Sequence, residues 1–395
     1  MKNLIYRLRT VIRETDFALL LLCILTSAYG VVMVYSATRP DMLIEGGVIS
    51  RDTRAMLITV GAGLLMAIVI SFIDYNIITK LYPAIAAVCI ALMLLTLVFG
   101  VGPEERPDAK TWLKIGETGL FFQPSELLKI GFIISFGMHL ELISDRISKP
   151  VHILFLCLHA AVPVGLVTLS GDMGSALVFV IIFAAMMFCA GVKLRYFALG
   201  AALTAAAAPL AWYYLFSTTQ KDRFLGLIYP DAYTDIMYQQ NMGMRAIRSG
   251  GLTGKGLFSG PLTQTMNAIP EAENDMIFSC IGEELGFLGC AAALLLLLLI
   301  VARIMIVGKR SKYGATKLMC YGMAAMIAGQ TVINVGMCLV LLPVIGITLP
   351  FFSAGGSSNL CIYIGIGLIL SIYRFDKEKE VVNFRLSNIT PFSNY

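Results

Sequence analysis

Charge is what this chain is short of. Lys, Arg, Asp and Glu together make up 14% of its 395 residues, where a soluble domain carries about 25%. So little charge cannot cover a solvated surface. That excludes a soluble globular enzyme, a disordered chain and a nucleic-acid-binding domain. Histidine is scarce too: His139, His152 and His159 are the only three, and they show no ligand spacing. Among the nine cysteines no CxxC pair occurs. Neither a His/Cys metal site nor a disulfide framework is expected. Every cysteine falls in an apolar run and reads as a small buried hydrophobe. In place of charge there is apolar bulk: 58% of residues belong to the AVILMFWYC set. The fold class is all-α, a polytopic membrane protein.

A span needs about 20 mostly apolar residues. Ten stretches qualify: 17–38, 55–74, 81–101, 124–143, 152–169, 173–192, 196–216, 276–303, 317–340 and 357–374. The first is too long for a signal-peptide h-region and no clear small-residue cleavage site follows it, so a retained helix is expected. With the N-terminus inside, 18 of the 30 Lys and Arg fall on inside pieces and 11 outside. Lys129 remains, within the fourth span. The short inside loops are then the basic ones, which predicts both termini in the cytoplasm. The chain reads as one membrane domain, 1–395. It has a cytoplasmic start at 1–16, a large extracytoplasmic loop at 217–275 before the eighth span, and a cytoplasmic tail at 375–395.

Two outside segments, 102–123 and 217–275, exceed ordinary connections and point function outward. The second holds GGLTGKGLFSG, a glycine density that serves tight backbone turns. No convincing internal repeat is present, so inverted-repeat transporter symmetry is not supported.

Ionisable groups at membrane depth are costly unless paired or solvated. The fourth span opens Gln123-Pro124-Ser125-Glu126-Leu127-Leu128-Lys129. Pro124 suits a first helical turn, and Glu126 and Lys129 share one helix face. Two readings stand: a buried ion pair that orients the helix, or a lysine lining a cavity for an anionic ligand. Asp172 precedes the sixth span and reads first as an N-cap. Asp275 sits in the first turn of the eighth span. It is either a helix cap or a general base whose carboxyl is raised toward neutrality by partial desolvation. Glu283 and Glu284 follow two turns down the same helix, so at least one faces the interior. Asn334 lies inside the ninth span and needs partners there. The last outer loop, 346–359, places paired glycines and Ser357 at a helix start. That is either a backbone-donor nest for a phosphate or sugar oxygen or a structural turn. Trp112, one of two tryptophans, is an interfacial anchor or a stacking platform for a sugar.

Five motifs then occur in order: Gln123-Pro124-Ser125-Glu126-Leu127 with Lys129; Gly250-Gly251-Leu252-Thr253-Gly254-Lys255-Gly256; Pro270-Glu271-Ala272 with Asp275; Gly282-Glu283-Glu284-Leu285-Gly286; and Leu349-Pro350-Phe351 with Ser353 and Gly355-Gly356-Ser357-Ser358. Together they resemble the bacterial SEDS family of RodA, FtsW and SpoVE, across essentially all ten spans. The resemblance implies a peptidoglycan glycosyltransferase of the bacterial cytoplasmic membrane. Such an enzyme polymerises lipid II on the outer face, beside a class B penicillin-binding protein and other elongation or division proteins. It places the family's essential aspartate on Asp275, its functional tryptophan on Trp112 and its matched lysine on Lys129. Three departures stand out. Ser170-Gly171 replace a common Gln-Pro, Glu273-Asn274 replace His-Thr, and Ala354 replaces a Tyr. The choice between elongation, division and sporulation roles stays open.

The expected reaction is an inverting transfer. Asp275 deprotonates the acceptor GlcNAc 4-hydroxyl, the oxygen attacks C1 of the donor MurNAc, and undecaprenyl pyrophosphate leaves. Lys129, Arg223 or Lys255 would stabilise the developing charge. A divalent cation, Mg or Mn, would share that task, although no dedicated ligands are visible. Apolar grooves and membrane lipids would hold the prenyl tails. The alternatives are a lipid II flippase, which needs polar groups throughout its thickness, and a non-catalytic scaffold that shows no glycan synthesis alone.

Overall fold

A computed structural model of the chain describes residues 15–40, 42, 47–102, 109–116, 120–214 and 216–389. Most of the expected N-terminal segment 1–16, the end of the tail 375–395 and Arg106 lie outside the described residues. Among those described, a helix stands at each of the ten expected spans. In chain order the helices are α1 (Phe17–Ala37), α2 (Arg51–Ser71), a short α3 (Tyr75–Lys80), α4 (Tyr82–Phe99), α5 (Pro124–Leu142), α6 (Pro150–Leu169), α7 (Met173–Cys189), α8 (Leu194–Tyr214), α9 (Thr218–Ile228), α10 (Thr234–Gly250), α11 (Ile277–Arg310), α12 (Gly314–Cys338) and α13 (Gly356–Ile389). Eight are long and apolar enough to cross a membrane. The two others at expected spans are α7, which has 17 residues, and α5, whose Glu126, Lys129, His139 and Glu141 dilute its apolar character.

Two polar segments carry regular elements that their composition does not predict. Segment 102–123 carries a two-stranded antiparallel hairpin, β1 (Leu113–Ile115) and β2 (Leu120–Phe122), with Leu113 opposite Phe122. Segment 217–275 is not a continuous loop but contains α9 and α10. A complete capping box between Ser217 and Gln220 starts α9, satisfying backbone donors at its first turn. Helix α10 is amphipathic: Met237, Gln240, Gly243, Ala246 and Gly250 form a buried stripe. Its polar opposite face hid it among loop residues.

Small residues bring the central helices together. On α2, Gly63 meets the Tyr363 ring of α13, and on α13 Gly367 meets Ala67. Gly322 of α12 meets Ile133 of α5, and Gly137 of α5 meets Met319. Such close backbone approach is typical where membrane helices pack without a hydrophobic driving force. Helix α1 runs antiparallel to α11, fastened along its length. Asp16 caps α1 and pairs with Arg303 at 2.8 Å; Tyr29 donates to the Gly289 carbonyl; Ser36 donates to the Glu284 carboxylate. Helix α8 buries none of its residues and lies at the edge. Seven cysteines are buried, but Cys157 and Cys189 are exposed on α6 and α7. Their apolar neighbours face outward with them.

Candidate active site

The site is built from the backbone of one short segment. Residues 273–275 end the turns that lead into α11, and three consecutive carbonyls there are held by three separate groups. The Glu273 carbonyl accepts from the Ala354 N–H at 2.9 Å. The Asn274 carbonyl accepts from Ser353 Oγ at 2.6 Å. The Asp275 carbonyl accepts from Asn334 Nδ2 at 2.8 Å, and the same amide donates to Ile347. Asn334 is therefore a tie between α12, the α12–α13 loop and the Asp275 segment. Glu271 holds a left-handed φ of 54° nearby. Strain of that kind gathers at sites that the surrounding structure over-determines.

Asp275 is 6% exposed. It is not a helix cap: the N-cap of α11 is Met276, with no side-chain capping bond. Its Oδ1 accepts instead from Gln239 Nε2 of α10 at 3.2 Å, and that amide also donates to the Pro270 carbonyl. Burial pushes the Asp275 carboxyl up to about 7, and the charge of Glu271 adds to the rise. Its own backbone N–H and the Arg223 guanidinium pull the other way, and Glu273 raises it slightly. Desolvation disfavours the charged carboxylate, and a group poised near neutrality suits proton abstraction. Arg223, on α9, donates to the Val344 carbonyl at 2.7 Å, which fixes its cation to the α12–α13 loop.

A carboxylate takes up a proton only when ionised, so a reaction driven by Asp275 would gain rate as pH rises through about 7. Gln239→Leu removes a donor to the carboxylate and moves that limb to higher pH. A pH–rate profile of both proteins is the check, and a flat profile across neutrality in the wild type would contradict this assignment.

A second polar cluster joins α5, α7 and α13. Asp172 Oδ1 caps α7 by accepting from Ser175 N at 2.9 Å. Its Oδ2 accepts from Gln123 Nε2 at 2.8 Å and Ser125 Oγ at 3.2 Å, so the cap also links two helices. Ser357 Oγ accepts from the Gln123 N–H and donates to the Phe121 carbonyl. That occupation favours a bolt between α13 and the hairpin over an open phosphate nest. Trp112 bridges to Val101 through backbone bonds and lies 6.2 Å from the Phe121 ring. One turn into α5, Lys129 is 0% exposed and pairs with Glu126 at 2.8 Å.

Glu283 and Glu284 are both fully buried and organise the turns before Asp275. Glu283 accepts from Leu262 N, Thr263 N and Thr263 Oγ1. Glu284 accepts from Ser36 Oγ, Gln264 Nε2 and Phe258 N. Glu283→Ala leaves those Leu262 and Thr263 donors without their acceptor. It is expected to cost about 1–3 kcal/mol, read as a lowered thermal midpoint of the purified protein; an unchanged midpoint would deny Glu283 this role. The glycine-rich run packs against the same stretch. At Gly254, φ is +82° and a Cβ would lie 2.1 Å from the Glu284 carbonyl oxygen. Lys255 is exposed, and its backbone N–H donates to Glu283. The structure therefore brings Arg223, Gln239 and Asn334 to Asp275, but leaves Lys255 two helical turns away.

A cavity of about 260 Å³ opens beside the Asp275 segment, lined by Ala37, Thr263, Asn267, Pro270, Glu271 and Glu273 among others. Among the described residues no three His, Cys, Asp or Glu side chains group to hold a metal. A second, apolar cavity of about 240 Å³ lies between α4, α5 and α6. His159 lines it; it bonds to Ser135 at 3.1 Å and lies 3.0 Å from His139. Sequence spacing gave no sign of this histidine pair.

Sequence reasoning also passed over Gln239 and Gln240. Gln240, buried, donates to the Met337 and Leu342 carbonyls at 2.8 Å each. A glutamine in the apolar stripe of α10 was the available signal.

Known proteins share this architecture. The family model for FtsW, RodA and SpoVE, described as "Cell cycle protein", matches residues 16–378. A probable peptidoglycan glycosyltransferase FtsW of Trichlorobacter lovleyi is 30% identical, over 91% of this chain and 93% of its own. The peptidoglycan glycosyltransferase MrdB of Escherichia coli K12 is 27% identical, over 92% and 94%. A chain in a solved peptidoglycan synthase complex superposes with a TM-score of 0.78 at 28% identity, covering 92% of this chain and 98% of that one. The rod shape determining protein RodA of Thermus thermophilus superposes at 0.67 with 26% identity, covering 91% and 97%.

Proposed function

The chain belongs to the FtsW, RodA and SpoVE family of cell cycle proteins, and on that premise we propose that it polymerises lipid II with Asp275 as general base. It is a peptidoglycan glycosyltransferase and a multi-pass membrane protein. The ten helices at the expected spans cross the cytoplasmic membrane of a bacterium with both ends inside. The segment 217–275 then lies outside, with the Asp275 site at the outer end of the bundle.

The ionised Asp275 carboxylate takes the proton of the acceptor 4-hydroxyl. The freed oxygen pair forms the new bond to C1 of the donor sugar as the C1–oxygen bond to the pyrophosphate breaks. The leaving group carries both bonding electrons away as undecaprenyl pyrophosphate. Arg223 lies close enough to act on the Asp275 titration. Its fixed cation would stabilise negative charge that grows in the transition state. Trp112, half-buried just before the hairpin, offers an aromatic face for a sugar ring. A class B penicillin-binding protein is the expected partner, which would cross-link the emerging strand.

The observation that carries this reading is a carboxyl pushed toward neutrality in a segment whose carbonyls are individually tied. Preorganisation of that kind lowers the cost of reaching the reactive geometry. The test is glycan formation from purified lipid II by the full chain, with and without its class B partner. Absence of polymer in both arms would reject the assignment.

A further inference from the structure

The glycine-rich run between α10 and α11 carries an exposed cation, Lys255, close in sequence to exposed Arg245 and Arg248 of α10. Its depth follows from α1, which spans from Asp16 to Ala37 and is level with α11 from Arg303 to Glu284. Glu284 therefore marks the end of a full crossing, at headgroup height. Lys255 N and Gly256 N donate to the Glu283 and Glu284 carbonyls at 2.9 Å each. The run is thus pinned at that height. Phe287 N and Leu288 N donate to the Gly251 and Leu252 carbonyls, so Leu252 lies about one turn deeper. Gly286, with φ of +65°, breaks the helix where these strands of contact meet.

The exposed surface at this level has two tiers. The deeper one is apolar: Leu252 is 64% exposed, Phe287 65% and Leu288 56%. In a membrane protein such side chains touch acyl chains. The upper tier holds exposed Arg245, Arg248 and Lys255, with Arg39 over the Phe258 ring at 5.6 Å. The carboxylates packed beneath, Glu283 and Glu284, point into the protein and are fully occupied by hydrogen bonds. Among the described residues neither forms an ion pair with Lys255, Arg245 or Arg248. A cation tier over an apolar tier complements an anionic lipid: phosphate above, acyl chain below.

We propose that the loop 250–258 is the seat of an anionic phospholipid of the outer leaflet, its phosphate held by Lys255 with Arg248 and Arg245. The substrate's own pyrophosphate is the less fitting occupant. Six residues of helical rise, about 9 Å, separate the start of α11 at Ile277, next to the Asp275 segment, from the Lys255 anchor at Glu283, while the leaving group must stay bonded to the reacting sugar. The proposal does not rest on the catalytic reading. It requires only that the helices span a membrane.

Native mass spectrometry of the purified full chain, titrated separately with phosphatidylglycerol, phosphatidylcholine and undecaprenyl pyrophosphate, tests it. Phosphatidylglycerol should be retained over phosphatidylcholine. Each lost cation should weaken that retention about fivefold, so Lys255→Gln and Arg248→Gln lower it singly and multiply together. Lys255→Arg should restore it. Thermal midpoints of the variants confirm folding, and if one variant unfolds the other carries the test. Equal retention of the two phospholipids, or phosphatidylglycerol binding unchanged in folded Lys255→Gln, overturns the proposal. So does a loss confined to undecaprenyl pyrophosphate, which would return the loop to the substrate.

Discussion

Asp275→Asn is expected to slow lipid II polymerisation about 10²–10⁴-fold, the usual cost of losing a general base, with the fold retained. The substitution keeps the side chain's size. It also keeps the backbone ties, because Asn334 bonds the Asp275 carbonyl and not its carboxylate. The amide can still accept from Gln239 through its oxygen. What is lost is the ability to take a proton. Capping cannot explain a loss of rate, since the Asp275 side chain makes no capping bond to α11. Gel analysis of glycan products reads the rate, and thermal unfolding in the same detergent reads the fold. Near-normal polymerisation by a folded variant would remove Asp275 from the mechanism. A loss of rate accompanied by unfolding would move it to the scaffold.

Lys129→Met should produce the largest loss of stability. Lys129 has no exposed surface, and its polar partner is Glu126 Oε1 at 2.8 Å. Removing the cation leaves a carboxylate in a low-dielectric interior. Breaking a buried pair from one side costs about 3–5 kcal/mol. Glu126 already has one oxygen, Oε2, without a hydrogen-bond partner, so little is available to absorb the loss. The double variant Glu126→Gln, Lys129→Met removes both charges and should recover most of the deficit. Denaturation midpoints of the three proteins form the measurement. A single variant as stable as wild type would mean that the pair is not closed as described.

Much of this was legible in the sequence because a bilayer imposes one dominant rule, and apolar runs of span length obey it. The spans expected at 17–38, 276–303 and 357–374 fall on α1, α11 and α13. Asp275, Asp172, Glu283, Glu284 and Asn334 stood out because polar groups at that depth must have partners. The sequence could not supply who those partners are. The tie from Asn334 to Asp275 crosses 59 positions, and the meeting of His139 with His159 depends on how α5 faces α6. Helix α10 was hidden because its signal is a narrow stripe in a polar segment. The anchoring of Lys255 at Glu283 was hidden for a related reason. Its nearness to Asp275 in sequence conceals the stretch of α11 that separates them in space.

The three tied carbonyls also limit what can be moved between relatives. The Asp275 segment is aimed by Ala354 and Ser353 from beyond α12 and by Asn334 from within it. A graft of 217–275 into another bundle would import the acid but leave its sights behind. Chimeras should therefore regain activity only when the exchanged piece runs on through the start of α13, so that the reactive group and its rangefinder travel as one unit.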